Sequence, residues 1–169
     1  PGVGGHCIAV DPWFIVDSAP DEAKLIHTAR LVNDSKPHFV LKKINQAVKA
    51  TGKEKPELTI ACLGLAFKPN IDDLRESPAL DIAQQVELMG FAKQLLVEPY
   101  IDTIPSSFNS KTTKLVDLEH ALSMADVVVL LVDHTPFKEM DPRLLLGKQV
   151  IDTRGIWGGR LDGIQDLHG

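Results

Sequence analysis

The run Val127 to Val132, VVVLLV, is apolar at every position and is bounded by Asp126 and Asp133. A strand with one wet face alternates apolar and polar residues. A strand without alternation is buried on both sides, the mark of a parallel sheet covered by helices on both faces. Leu58 to Leu65 is a second such run, and shorter strands are read at Gln94 to Val97 and at Gln149 to Asp152. Amphipathic stretches at Ser77 to Met89 and Leu115 to Met124 fall between them as helices. Strand and helix in alternation predict an α/β chain with a Rossmann-like doubly wound parallel sheet, whose ligands sit at the C-terminal strand ends.

Several function classes drop out. No apolar run approaches the roughly 20 residues that span a bilayer, so no membrane partner is expected. A formal charge of -5, from 18 basic and 23 acidic residues, argues against nucleic acid, whose affinity comes from clustered cations. An apolar fraction of 44% excludes disorder. Two cysteines, Cys7 and Cys62, make no disulfide framework, and a reducing cytoplasm is expected. No metal-ligand spacing links the histidines and cysteines, so no metal is predicted. The start is glycine-rich instead of basic-then-apolar, which is not a secretory signal. A dense motif directly after Pro1, with no initiator methionine, reads as part of a longer chain.

The segment before the sheet, residues 1–52, reads as a glycine-rich loop and helices. Asp11-Pro12 and Asp21 are helix-start signals, and Pro37 interrupts the helical spacing, with Ser35 as its cap. Apolar stripes at Ala23, Ile26, Ala29 and Val32 and at Val40, Ile44, Ala47 and Val48 have no strand nearby in sequence. They are expected to pack on missing chain or on a second subunit. KEKPE, residues 53–57, then reads as a linker.

Three constellations can carry chemistry. GVGGHCIAVDP, Gly2 to Pro12, places Cys7 after a flexible turn and just before a helix start, where a thiolate is favoured, with Asp11 placed to orient water. A tight turn with a small buried cysteine, a packed His6 and an N-cap aspartate accounts for the same residues. GLAFKPNIDDLRESP, Gly64 to Pro78, lacks G-x-G-x-x-G but puts Lys68 and Arg75 between strand and helix, ahead of a Ser77-Pro78 start suited to phosphate. Pairing of both cations with Asp72, Asp73 or Glu76 on a solvated loop explains it as well. IDTRGIWGG, Ile151 to Gly159, brings Arg154 out at the same sheet edge as Lys68; a surface arginine is the plain alternative. Glu98-Pro99 closes a strand, where an acid binds ribose or simply ends a turn, and Cys62 reads as core.

Together these segments resemble the UDP-glucose/GDP-mannose dehydrogenase family: its G-x-G-G-x-C-x-x-x-D loop, its G-x-A-F-K…D-x-R-x-S motif and its D-x-R motif, in order. The resemblance covers the whole chain as the C-terminal two-fifths or so of a member. It implies a remnant of the central helical dimerisation domain at 1–52 and a UDP-sugar-binding Rossmann-like domain at 53–169. It also implies that NAD is the cofactor, that Cys7 is the nucleophile and that Asp11 assists hydrolysis. Gly2, Val3, Gly4, Phe67, Lys68 and Arg154 then contact the substrate. Cys7, Ile8, Ala9, Val10 and Arg75 face NAD. Ala9-Val10 stand where UDP-glucose members tend to have proline-lysine, so that lysine's role does not transfer. GHCIAVDPWF is most similar to the UDP-N-acetylmannosamine branch of bacterial surface-polysaccharide synthesis, with UDP-N-acetylglucosamine and UDP-glucose 6-dehydrogenases as alternatives. The implied reaction oxidises an alcohol to a carboxylate through a cysteine thiohemiacetal and thioester. A homodimer through the helical segment follows, as does an inactive fragment: without an NAD domain, a non-catalytic UDP-sugar-binding module.

Overall fold

Five parallel strands form one sheet at the centre of the structure, a computed structural model that describes residues 1–108 and 111–158. In chain order they are β1 (Thr59–Leu63), β2 (Lys93–Val97), β3 (Thr113–Leu115), β4 (Val127–Leu130) and β5 (Gln149–Asp152). Across the sheet they run β3-β2-β1-β4-β5, the doubly wound α/β arrangement expected from the sequence. The winding reverses between β1 and β4, where Ile60 pairs with Val127 and Leu63 with Leu130. A crevice opens at the carboxyl ends of strands at such a reversal.

Unbroken apolar strands are explained by cover on both faces. β1 sends Ile60 and Cys62 to one side and Ala61 and Leu63 to the other, and β4 divides Val127 and Val129 from Val128 and Leu130 in the same way. Helices α3 (Lys36–Thr51) and α4 (Pro78–Glu87) close the first face. They do so through Val40, Ile44 and Val48 and through Ala79, Ile82, Ala83 and Val86. The second face is closed by α5 (Leu118–Met124), α6 (Thr135–Glu139) and a 3-10 turn at Pro142–Leu145. Trp157, fully buried there, donates its indole N–H to the Phe137 carbonyl at 3.0 Å.

The helical segment departs from expectation in three places. α1 (Asp11–Ser18) has Val10, not Asp11, at the cap position and no side-chain cap, while α2 (Lys24–Asp34) starts three residues after Asp21. Pro37 restarts the helix as α3, in a first turn where the missing N–H costs no hydrogen bond. The stripe at Val40, Ile44 and Val48 is covered by this chain's own sheet, not by missing chain or a second subunit. Sequence proximity hid that partner, because α3 folds back on strands that come after it. Phe14, Leu25, Leu31 and Val32 of α1 and α2 do remain exposed. Residues 159–169, including Gly159 of the third constellation, lie outside the described residues. Among the described residues no helix is long and apolar enough to cross a membrane.

Ile44→Ala is expected to cost about 2–5 kcal/mol in urea unfolding, the range for emptying a closed core position. Leu25→Ala, at a residue 82% exposed, should stay within about 0.5 kcal/mol. Equally small losses would show that α3 is not part of the sheet's core.

Candidate functional site

The cysteine loop is pinned from two sides. Asn33 of α2 clamps Val3 like a strand partner: its Oδ1 accepts the Val3 N–H at 2.8 Å and its Nδ2 donates to the Val3 carbonyl at 3.0 Å. Arg30, also on α2 and buried, donates Nη1–H to the Ile8 carbonyl at 3.2 Å while Nη2 pairs with Asp34 at 2.7 Å. On the other side the loop lies on the segment between β1 and α4. A Cβ on Gly4 would stand 2.1 Å from the Glu76 carbonyl oxygen and 2.4 Å from Pro78 Cδ. Gly5, at φ +102°, donates its N–H to that same oxygen at 3.2 Å. Here the glycines allow contact that no side chain permits.

At the loop's tip Cys7 is exposed, and its carbonyl accepts the Val10 and Asp11 amides at 3.0 and 2.8 Å, joining the loop to α1. His6, Ile8 and Val10 are exposed beside it and Ala9 is half-buried. Cys62 is the opposite case. It is sealed in β1, where burial, opposed only by a Gln94 hydrogen bond, pushes its thiol up to about 12.

Lys68, Arg75 and Arg154 each belong to the loops at the strands' C-terminal ends, but the structure treats them differently. Three Asp-x-Arg turns occur, at Asp73, Asp141 and Asp152. Arg75 and Arg143 fold back on their own aspartates, with Nε 2.9 Å from Asp73 Oδ1 and 2.7 Å from Asp141 Oδ2. Hydrogen bonds from Arg75 hold the Asp73 carboxyl at about 2. Asp152 instead spends its carboxylate on backbone, accepting the Arg154, Gly155 and Trp157 amides at 2.9, 2.7 and 2.8 Å. The Arg154 guanidinium is thereby released toward β4, where Nε meets Asp133 at 2.8 Å. Burial works to raise the Asp133 carboxyl, but Lys138 and Arg154 outweigh it and hold it below the ordinary range.

Lys68 has no ion pair among the described residues; its Nζ sits 5.5 Å from the Phe67 ring centroid. It does not pair with Asp72, Asp73 or Glu76. Lys68 and Arg154 line one narrow cleft with Gly2, Phe67, Pro78 and Val132, so the first and third constellations meet the second. Gly2 and Arg154 also line a separate groove of about 850 Å³ between α3 and β5, with Lys36, Phe39 and Lys43. Arg75 is turned to Asp73 on the loop ahead of α4, and that carboxylate raises the guanidinium's hold on its proton.

Glu98 neither binds from the surface nor merely ends a turn: it is buried against His134 at 3.0 Å. Burial works to raise its carboxyl, but the His134 hydrogen bond and the Leu65 and Ala66 amides hold it below the ordinary range. Among the described residues no cluster suits a metal ion. What the arrangement offers chemically is an exposed thiol on a rigidly held loop whose Gly2 lies with Lys68 and Arg154 around a constriction of about 10 Å³, two cations of the kind that bind phosphate. Sequence reasoning missed Asn33, Arg30, Asp133 and Asp152, which position this machinery. An arginine and an asparagine one turn apart, on the face of α2 that meets the loop, were the available signal.

The sequence pattern of the UDP-glucose/GDP-mannose dehydrogenase family, UDP binding domain, matches residues 61–159. The chain is 53% identical over 160 residues to the NDP-N-acetyl-D-galactosaminuronic acid dehydrogenase of Ralstonia nicotianae, covering 95% of this chain and 36% of that protein. It is 52% identical over 161 residues to the UDP-N-acetyl-D-mannosamine dehydrogenase of Salmonella typhi, covering 93% and 38%. The structure resembles that of the UDP-D-ManNAc dehydrogenase of Pyrococcus horikoshii, with a TM-score of 0.76 and 30% identity over 92% of this chain and 35% of that one. The chain therefore spans little more than a third of the length of the curated relatives it matches.

A thiol titration at neutral pH should find one reactive cysteine per native chain, Cys7, and two after denaturation. Two fast thiols in the native chain would contradict the sealing of Cys62.

Proposed function

We propose, on the premise that the chain belongs to the UDP-glucose/GDP-mannose dehydrogenase family, that it is the nucleotide-sugar-gripping part of an NAD-dependent 6-dehydrogenase. The substrate of this reading is UDP-N-acetylmannosamine, oxidised twice from the C6 alcohol to the carboxylate. The observation that carries it is the convergence of Lys68 and Arg154 on one cleft beside the Cys7 loop. In this reading the two cations hold the pyrophosphate, with Phe67 and the backbone of Gly2, Val3 and Gly4 against the rest of the ligand. Residues 1–52 are the end of a helical dimerisation domain and 53–169 the UDP-sugar domain. The exposed apolar side chains of α1 and α2 suit burial in that larger assembly.

Cys7 adds its thiolate to the C6 aldehyde carbon, and the resulting thiohemiacetal keeps the aldehyde from diffusing away. Loss of hydride from that carbon leaves a thioester, and water oriented by Asp11 cleaves it, returning the thiol and releasing the uronate. NAD, when bound, would supply the two-electron acceptor for each oxidation, of the C6 alcohol to the aldehyde and of the thiohemiacetal to the thioester, so that two NAD are reduced per uronate. The residues present fit it as one wall of a site: Ile8 and Val10 offer exposed apolar side chains, Ala9 stands between them and Arg75 lies near Cys7. A second reading changes the sugar alone. The near-equal identity to the galactosaminuronic acid relative favours an N-acetylgalactosamine-series substrate to the same degree.

Calorimetry on the chain should detect UDP. Lys68→Ala and Arg154→Ala should each weaken it about tenfold, as expected for removing a charge-assisted contact; affinity indifferent to Lys68 would sink the proposed grip. In the intact enzyme Cys7→Ser should abolish uronate formation, whereas the 169 residues alone should reduce no NAD with either sugar nucleotide.

A further inference from the structure

In a dinucleotide-binding Rossmann unit, amides after the first strand hold pyrophosphate and an acid at the end of the second holds ribose. In this chain those two stations are joined to each other. Glu98, directly after β2, turns inward, and its Oε2 accepts the Leu65 N–H at 2.7 Å and the Ala66 N–H at 3.1 Å. The same oxygen lies 3.0 Å from Nε2 of His134, which follows β4, and both side chains are completely buried.

His134 carries the connection onward. Its Nδ1 accepts the Asn70 N–H at 2.9 Å, which makes the ring neutral, with its proton on Nε2 donated to Glu98. Asn70 lies two residues beyond Lys68 and takes a left-handed φ of 61°. Its Oδ1 accepts from the Thr135 amide at 2.9 Å and from the Tyr100 hydroxyl at 3.0 Å, and its Nδ2 donates to the Thr135 hydroxyl at 2.9 Å. The loops leaving β1, β2 and β4 are thus tied in one network that ends beside Lys68. A buried charge is a poor way to add stability, since apolar packing often serves as well. A network with matched donors and acceptors does specify one loop conformation.

We propose that Glu98, His134 and Asn70 act as a positioning relay. Glu98 takes the place of a bound phosphate inside the fold, and His134 transmits that anchorage to the loop that aims Lys68. For its ligand the proposal rests on the function proposed above; for the loop it stands on the geometry alone. The relay also directs the nucleotide away from the Rossmann crevice, whose amides are already taken, and toward the cleft of Lys68 and Arg154.

Two substitutions separate the halves of the relay. His134→Asn keeps an acceptor near the Nδ1 position and drops the donor to Glu98; His134→Gln keeps a donor near Nε2 and drops the acceptor for Asn70. Each is measured by UDP calorimetry, by amide hydrogen exchange over residues 66–76 and by urea unfolding. Either cut should weaken UDP about tenfold and release the loop's exchange protection beyond what its loss of stability accounts for, because the anchorage passes through both bonds. Losses that follow stability alike in both variants would overturn the relay, leaving the cluster as packing. Asn70→Gly, at an exposed position already in a glycine-compatible conformation, covers the case in which neither variant folds. It should speed loop exchange and weaken UDP at nearly unchanged stability, and an unaltered loop would refute the proposal. If the wild-type chain ignores UDP, the functional reading fails, while the exchange measurements still decide the relay.

Discussion

Gly4 lies so close to the carbonyl of Glu76 and the ring of Pro78 that no side chain could stand between them, and this contact makes one site from two distant motifs. The loop bearing the exposed thiol is thereby seated on the turn that starts α4, while Asn33 and Arg30 hold it from the side of α2. The sheet in turn fixes that turn, because the Ser77 hydroxyl donates to the Leu65 carbonyl and accepts the Leu80 N–H, capping α4. Displacing the turn would move the thiol and the cationic cleft together. For a reaction that must hold one end of a substrate while attacking the other, such a rigid linkage keeps the two ends in register.

The same tripeptide gives different outcomes according to what its aspartate must satisfy. At Asp73 and Asp141 the carboxylate takes its own arginine. At Asp152 three backbone amides compete successfully, and Arg154 is free to reach across to Asp133. Local sequence cannot separate these cases, because Trp157, whose amide joins Asp152, is also held by its indole against Phe137, twenty residues away in sequence.

Much of the sheet was legible because burial on both faces leaves a plain trace: β1 and β4 fall inside apolar runs, β2 starts one residue ahead of the short strand read at Gln94 to Val97, and β5 coincides with the one read at Gln149 to Asp152. β3 was missed, since an edge strand of Thr-Lys-Leu needs only Thr113 buried. α6, five residues long, carries too little pattern to be read. The convergence of Lys68 with Arg154 was legible from their places at strand ends. The pairing of Arg75 with Asp73 was one of two readings left open. The buried role of Glu98 was not legible, because its partners Leu65, Ala66 and His134 come from two other loops.

α3 precedes the family's matched region by sequence yet supplies Ile44, a fully buried side chain, to the sheet's first face. Cover for one face of the sheet thus comes from a helix that lies ahead of the polar stretch at 53–57. A piece cut at that polar stretch would keep every strand and lose the wall behind Leu58 and Val127. Its flank would lie bare to water, and it would be prone to cling to whatever greasy surface came near.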